Sequence, residues 1–299
     1  MRALVTGATG FIGPRLLARL DHPVILTRHP DRARAALGPG FDAFAWEPEA
    51  GPPPAEAFQG VEAVFHLAGE PVAAGRWTPE RKQRIRESRV RGTRHLLAAL
   101  ESLRERPAVL VSASAVGYYG DRGEEVLEES ASAGSGFLAD VCQAWEAEAG
   151  RARALGMRVA TPRIGIVLDA GGGALARMLP PFRLGLGGPL GNGRHWMPWI
   201  HRDDLAGLLL HAAATPTVTG AMNAVGPTAV TNRDFTRSLG AALHRPAFFP
   251  VPPFALRLAF GEMASILFAS QHVVPRVAAE TGYSFRYSTI DDALRAILQ

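Results

Sequence analysis

The stretch Thr6-Gly7-Ala8-Thr9-Gly10-Phe11-Ile12-Gly13 decides how this chain folds. Its glycines are spaced G-x-x-G-x-x-G. They follow the β-rich run Ala3-Leu4-Val5-Thr6 and open a helical pattern from Phe11 to Leu20, which places Phe11, Ile12, Leu16, Leu17 and Leu20 on one face. Between a strand and a helix, Gly7 permits the tight turn. Gly10 lets the backbone approach a pyrophosphate, and Gly13 lets the helix pack close to the sheet. The helix start then offers N–H groups and the positive end of its dipole to phosphates. Dinucleotide contacts are expected from Gly7, Thr9, Gly10, Phe11, Ile12 and Gly13. The alternative is a glycine-rich turn that holds no ligand.

Outward from the loop, β-rich runs alternate with helical patterns. Further strands are expected over Val24–Thr27, Ala43–Trp46, Val61–Leu67, Ala108–Ser112 and Arg158–Ile164, with long helices over Pro79–Leu103 and Phe137–Leu155. Such alternation calls for a parallel sheet covered on both faces. After Val167 the rhythm breaks into Gly-Pro clusters (Gly171-Gly172-Gly173, Pro180-Pro181, Gly187-Gly188-Pro189), followed by helical patterns over Asp203–Ala214, Asn232–Leu243 and Phe254–Phe268. Residues 1–165, with returning segments, are expected to form the dinucleotide-binding domain. Residues 166–299 are expected to form mainly a small α/β substrate lobe packed closely against it.

Composition narrows the function. With 47% hydrophobic and 20% charged residues the chain is globular and not disordered. No apolar run reaches the roughly 18–20 residues of a membrane helix. The lone cysteine, Cys142, excludes a disulfide framework and a multi-cysteine zinc site, and no cluster has metal-ligand spacing. The net charge of +4 comes from arginines, plus the single Lys82, interleaved with acids as in Glu80-Arg81-Lys82-Gln83-Arg84-Ile85-Arg86-Glu87. That pattern reads as solvated surface. Neither nucleic acid nor membrane is expected as a partner, and a homodimer is left open. Because Met1 runs almost directly into the first strand, no cleavable signal peptide is expected, and the protein should be cytoplasmic.

The glycine loop resembles that of the extended short-chain dehydrogenase/reductase superfamily, and the resemblance continues through His66-Leu67-Ala68-Gly69 and Val111-Ser112-Ala113-Ser114-Ala115-Val116-Gly117-Tyr118-Tyr119-Gly120. Gly69-Glu70-Pro71, Arg86-Glu87-Ser88-Arg89-Val90-Arg91-Gly92-Thr93, Gly188-Pro189-Leu190-Gly191-Asn192-Gly193-Arg194-His195-Trp196-Met197 and Trp199-Ile200-His201-Arg202-Asp203-Asp204 resemble its uncharacterised epimerase-family subgroup. The resemblance covers essentially the whole chain. It implies a Rossmann-type doubly wound parallel sheet, a small C-terminal α/β lobe and NADP(H) binding. It adds Leu67, Ala68, Gly69, Ser112, Pro162 and Arg163 to the expected cofactor set. In this fold the end of the second strand meets the adenine ribose, where an acid selects NAD and an arginine selects NADP. Here that strand ends Leu26-Thr27-Arg28-His29-Pro30, so Arg28 favours NADP.

The superfamily's usual Tyr-x-x-x-Lys pair cannot be built. The residues four beyond Tyr118, Tyr119, Tyr283 and Tyr287 are Arg122, Gly123, Tyr287 and Asp291. Within Phe137–Glu146, Leu138 stands at the tyrosine position and Cys142 at the lysine position. Arg89 stands where the family usually carries an asparagine. Three residues keep a tentative catalytic role. Ser114 can bond a substrate oxygen or cap strand-end amides. Glu70 can act as a base or pair with Arg76 or Arg89, and Arg89 can clamp an anion. His195 and His201 are acid candidates or structural groups, and Tyr118 and Tyr119 are candidate phenols. Two functions follow: an NADP(H)-dependent oxidoreductase or epimerase-like enzyme acting on a small molecule such as a carbonyl or sugar nucleotide, or an NADPH-binding sensor or scaffold without turnover.

Overall fold

Short apolar runs build the sheet that the glycine loop implies, in a computed structural model that describes all 299 residues. The first half contains β1 (Ala3–Thr6), α1 (Gly13–Leu17), β2 (Val24–Thr27), α2 (Pro30–Leu37), β3 (Asp42–Ala45), β4 (Ala63–His66), α3 (Pro79–Ser102) and β5 (Val109–Ser112). It continues through β6 (Ser114–Ala115), β7 (Val126–Leu127), α4 (Phe137–Gly150) and β8 (Arg158–Ile164). The chain leaves the sheet through β9 (Ile166–Asp169), α5 (Gly173–Arg183), β10 (Trp196–Met197) and β11 (Trp199–His201), then returns with α6 (Arg202–Ala214) and β12 (Gly220–Ala224). It ends with β13 (Val230–Thr231), α7 (Asn232–Ala242), α8 (Pro253–Phe260), β14 (His272–Val273), α9 (Arg276–Glu280) and α10 (Ile290–Leu298).

The main sheet runs β12-β8-β5-β4-β1-β2-β3, with β6 beside β8 and every pair parallel: a Rossmann-type doubly wound α/β fold. Register explains the apolar runs. Leu4, Val64, Leu110 and Val159 pack against Leu96 and Leu100 of α3, while Val5, Phe65, Val111 and Ala160 share a core with Leu16 of α1 and Leu205, Leu208 and Leu209 of α6. Both faces are therefore dry, and alternation gives way to continuous hydrophobicity. Truncating the fully buried Phe65 to alanine would cost about 3–5 kcal/mol. Strand order reverses between β1 and β4, the place where such sheets open a crevice at their C-terminal edge.

Several element boundaries differ from expectation. The helix expected over Phe11–Leu20 is regular only across α1, and a Cβ at Gly172 or Gly173 would meet the Phe11 ring at 2.7–2.8 Å. Phe137–Leu155 divides into α4 and a 3-10 turn over Arg151–Leu155, and Phe254–Phe268 divides into α8 and a 3-10 stretch over Gly261–Leu267. The Gly-Pro region contains β9 and α5. Pro180 and Pro181 sit in the last turns of α5, where the missing N–H groups end the helix at Arg183 without interrupting its start. Leu168, Leu175, Phe182, Trp199, Phe235 and Leu294 make the separate core of this lobe.

Candidate functional site

The C-terminal ends of β1, β2 and β4 open into a cleft of about 290 Å³, whose walls include Gly7, Thr9, Gly10, Arg28, Leu67, Ala68 and Gly69. Gly7 adopts φ 70°, and a Cβ there would lie 2.8 Å from the Ala68 nitrogen and the Leu67 carbonyl, so both conformation and space demand glycine. A Cβ on Gly10 would meet only the Gly7 carbonyl oxygen, at 3.1 Å. The cradle is otherwise open, and a larger side chain would fill it. At Gly13 the structure corrects the expected reason for glycine. The clash of an added Cβ is with the Ala8 carbonyl, 2.1 Å away, so Gly13 lets α1 pack on its own loop and not on the sheet. Phe11, Ile12, Gly13, Ser112, Pro162 and Arg163 do not line this cleft. Arg28 does, exposed and without an ion-pair partner.

The cleft also contains Trp46, Glu47, Glu49 and Ser88, which the sequence reading omits. The first three follow β3, whose register with β2 brings its end to the same edge of the sheet. Below the cleft, His66 is fully buried. The Thr6 hydroxyl accepts the Leu67 and Ala68 amides, each at 3.1 Å, and donates to His66 Nδ1 at 2.8 Å. His66 Nε2 donates to Thr93 Oγ1 at 3.1 Å, and Thr93 donates onward to the Arg89 carbonyl at 2.6 Å. This chain of bonds suits the neutral imidazole. Burial first, and the Arg89 charge second, lower its pKa to about 4.

The Ser114 hydroxyl is not free. It donates to Glu146 Oε1 at 2.6 Å, and the same carboxylate accepts Arg163 Nε and Nη2, each at 2.9 Å. Arg163 also donates to Tyr119 Oη at 2.9 Å and to the Glu129 carbonyl at 3.1 Å, while Tyr119 donates to Asn223 Oδ1 at 2.7 Å. Expecting the Arg163 side chain at the cofactor therefore needs correction: its guanidinium is buried and committed inside the protein. Pro162 is likewise buried, within β8 and opposite Met222 of β12. Ser112 is buried with a hydroxyl that has no partner. Of the two phenols, Tyr119 is fully buried with its pKa raised, mainly by burial. Tyr118 is half-buried, with Arg163 stacked 3.5 Å over its ring.

Arg89 donates to the Glu70 and Ile85 carbonyls at 3.1 and 3.0 Å and lies 5.1 Å over the Trp145 ring. No carboxylate is within ion-pair reach, and burial pulls its pKa below the ordinary arginine value. The Glu70 carboxylate is 3.5 Å from Arg81, so it pairs with neither Arg76 nor Arg89. Leu138 packs under Gly117, and Cys142 is buried with its thiol pushed up to about 11, chiefly by burial. That thiol is not a nucleophile at neutral pH. Lys82 is far from α4 in sequence but close in space. Its Nζ is 5.3 Å from the Phe137 ring centre and 2.5 Å from Glu262, joining α3 to the C-terminal lobe.

A second cavity, of about 390 Å³, lies in that lobe and includes Arg194, His195 and Arg257 on its walls. His195 Nε2 is buried without a partner, and burial lowers the imidazole pKa. His201 instead caps α6, accepting the Asp203 amide through Nδ1 at 3.0 Å. Asp203 pairs with Arg15 and Arg19, while Asp204 accepts the Arg286 and Tyr287 amides at 2.8 and 3.0 Å. The Trp199–Asp204 motif thus joins α6 to α1 and to the C-terminal segment.

Known proteins share this arrangement. A family model described as the NAD dependent epimerase/dehydratase family matches residues 3–225, and a domain of unknown function (DUF1731) matches residues 251–297. The epimerase family protein SDR39U1 homolog, chloroplastic, of Arabidopsis thaliana is 42% identical over 312 residues, covering 100% of this chain and 87% of that protein. The crystal structure of human epimerase family protein SDR39U1 (isoform2) with NADPH has a TM-score of 0.88 at 35% identity, covering 100% of this chain and 99% of that one. The nucleoside-diphosphate sugar epimerase of Corynebacterium glutamicum has a TM-score of 0.78 at 32% identity, and the match spans all of this chain but 58% of that one. With the glycine cradle, the sheet order and these full-length matches in agreement, this chain belongs to the NAD-dependent epimerase/dehydratase family.

Proposed function

We propose that the protein is an NADP(H)-dependent oxidoreductase or epimerase-like enzyme acting on a carbonyl or sugar-nucleotide substrate. Arg28 carries this reading: an exposed guanidinium in no ion pair, on the wall of a cleft whose glycines leave room for a pyrophosphate. A 2′-phosphate beside it would gain charge-assisted hydrogen bonds. The NADPH in the human relative's crystal structure supports the same cofactor. Gly7, Thr9 and Gly10 would hold the pyrophosphate, and Leu67 to Gly69 would lie under the adenosine side. Such a cofactor supplies hydride chemistry.

The remaining roles fall to this chain's own groups. Arg89 is a desolvated cation without a counter-ion, an arrangement that favours a polar or anionic ligand group beside it. Tyr118 would be the phenol that exchanges a proton, since the Tyr119 hydroxyl is already bonded to Asn223. Ser114 acts through Glu146 as a positioning residue, and Glu70 lines the cleft. Arg194 and Arg257 in the lobe cavity suit an anionic part of the substrate. Residues 1–165 with the returning α6 and β12 would bind the cofactor and 166–299 mainly the substrate, in a cytoplasmic protein that is monomeric or a homodimer.

Incubation with NADPH and a panel of carbonyls and sugar nucleotides tests the reading. Oxidised cofactor or an epimerised product is expected, with at least about a tenfold loss of rate in Tyr118→Phe. Tight NADPH binding with no turnover across the panel would make the protein a cofactor sensor instead.

A further inference from the structure

One face of the C-terminal lobe is both apolar and exposed. The segments Arg183–Leu190 and Arg245–Val251 run side by side. The Phe249 amide donates to the Gly187 carbonyl at 3.2 Å, and the Val251 amide donates to the Pro189 carbonyl at 2.9 Å. Helix α8 follows at once. Leu184 (75% exposed), Phe248 (66%), Phe254 (72%) and Leu258 (75%) project from these segments, with Leu186 and Phe249 beside them. The sequence of α8, Pro-Phe-Ala-Leu-Arg-Leu-Ala-Phe, suits a buried helix, yet none of its residues is buried. Apolar surface of this extent on a folded domain marks a contact site.

The charge around it is mostly positive, with Glu124 bonded to the Trp196 indole and Glu262 paired with Lys82. No Asp or Glu occurs from residue 170 to 202 or from 235 to 261. Arg177, Arg183, Arg194, Arg245 and Arg257 from these stretches are all exposed and unpaired with any acid. We propose that this face docks peripherally on an anionic lipid surface, the phenylalanines and leucines entering the headgroup boundary and the arginines meeting lipid phosphates. A second copy fits poorly, because a two-fold contact would set the unpaired Arg183 and Arg245 of one copy against those of the other. The apolar groups project from three short segments. No helix is long and apolar enough to cross a membrane, so the contact would be superficial. The expectation of no membrane partner rests on the absence of a spanning apolar run, whereas this surface is assembled only by folding.

Co-sedimentation of the full chain with vesicles tests the proposal. Binding is expected to vesicles of phosphatidylcholine with phosphatidylglycerol, at least about tenfold weaker to phosphatidylcholine alone, and weakened by salt. Arg183→Gln with Arg245→Gln should reduce binding about 25-fold, at about fivefold for each arginine. Phe248→Ser, Phe254→Ser and Leu258→Ser together should abolish it while Tm and NADPH affinity stay at the wild-type values. Should that variant not fold, the lipid and salt dependence of the wild-type chain still decides. Equal or negligible binding to both vesicle types overturns the proposal. So does a concentration-dependent dimer that the arginine variant strengthens, since that would assign the face to a second copy.

Discussion

Replacing Glu146 with glutamine should strand a buried cation. The side chains of Arg163 and Glu146 are 5% and 14% exposed, and they share two hydrogen bonds of 2.9 Å. Removing one charge of such a pair costs about 3–5 kcal/mol, because the partner stays desolvated without compensation. Arg163 keeps Tyr119 Oη and the Glu129 carbonyl as acceptors, which places the loss near the lower end, about 3 kcal/mol. An unfolding entropy of about 2.1 cal/mol/K per residue over 299 residues gives about 0.6 kcal/mol/K, so Tm should fall by about 5 °C. Adding Arg163→Met removes the stranded charge, and the double variant should recover most of the loss. Denaturant and thermal melts of the wild type, both single variants and the double variant complete the cycle. A loss below about 1 kcal/mol for Glu146→Gln, or a double variant as unstable as the sum of the singles, would refute the argument.

Gly10→Val should keep the fold and lose NADPH binding, since its side chain enters the open cradle; Gly13→Val should instead unfold the loop against the Ala8 carbonyl, as circular dichroism would show. Stability should fall as pH drops from about 6.5 toward 4. The unfolded chain protonates His66 across that window and the folded chain does not, a loss of up to about 3 kcal/mol that a His66→Gln variant should not show in urea melts at a series of pH values. Lys82→Met breaks a partly exposed ion pair with Glu262 and should change stability by less than about 1 kcal/mol, with turnover intact; loss of turnover while NADPH still binds would move the active site toward the start of α4.

The glycine loop and the strands β1, β2, β4 and β5 are legible in the sequence because both of their faces are buried, so each reads as an unbroken apolar run. Strand β12 is not. Gly220-Ala221-Met222-Asn223-Ala224 has little strand propensity, and its pairing with β8 imposes the conformation. Helix α10 carries a usable signal in the Thr289 cap onto Asp292 and the apolar spacing of Ile290, Ala293, Leu294 and Ile297. The first and second strands and Arg28 lie where the sequence puts the candidate cleft, while Trp46, Glu47 and Glu49 join it through the sheet order, which no local pattern encodes. Ser114 and Arg163 show the opposite limit. Their residue types suit a site, but only the fold reveals that Glu146 engages both.

The central claim is that the cleft takes NADP(H) through Arg28, and parallel titrations of NADPH and NADH into the wild type and Arg28→Ala test it most directly. A charge-assisted bond of about 1.5–3 kcal/mol, held to its lower end by the exposure of Arg28, gives about a tenfold preference for NADPH. Arg28→Ala should erase most of that preference and leave NADH affinity nearly unchanged. Equal affinities for the two cofactors in the wild type, or a preference that survives in Arg28→Ala, would contradict it.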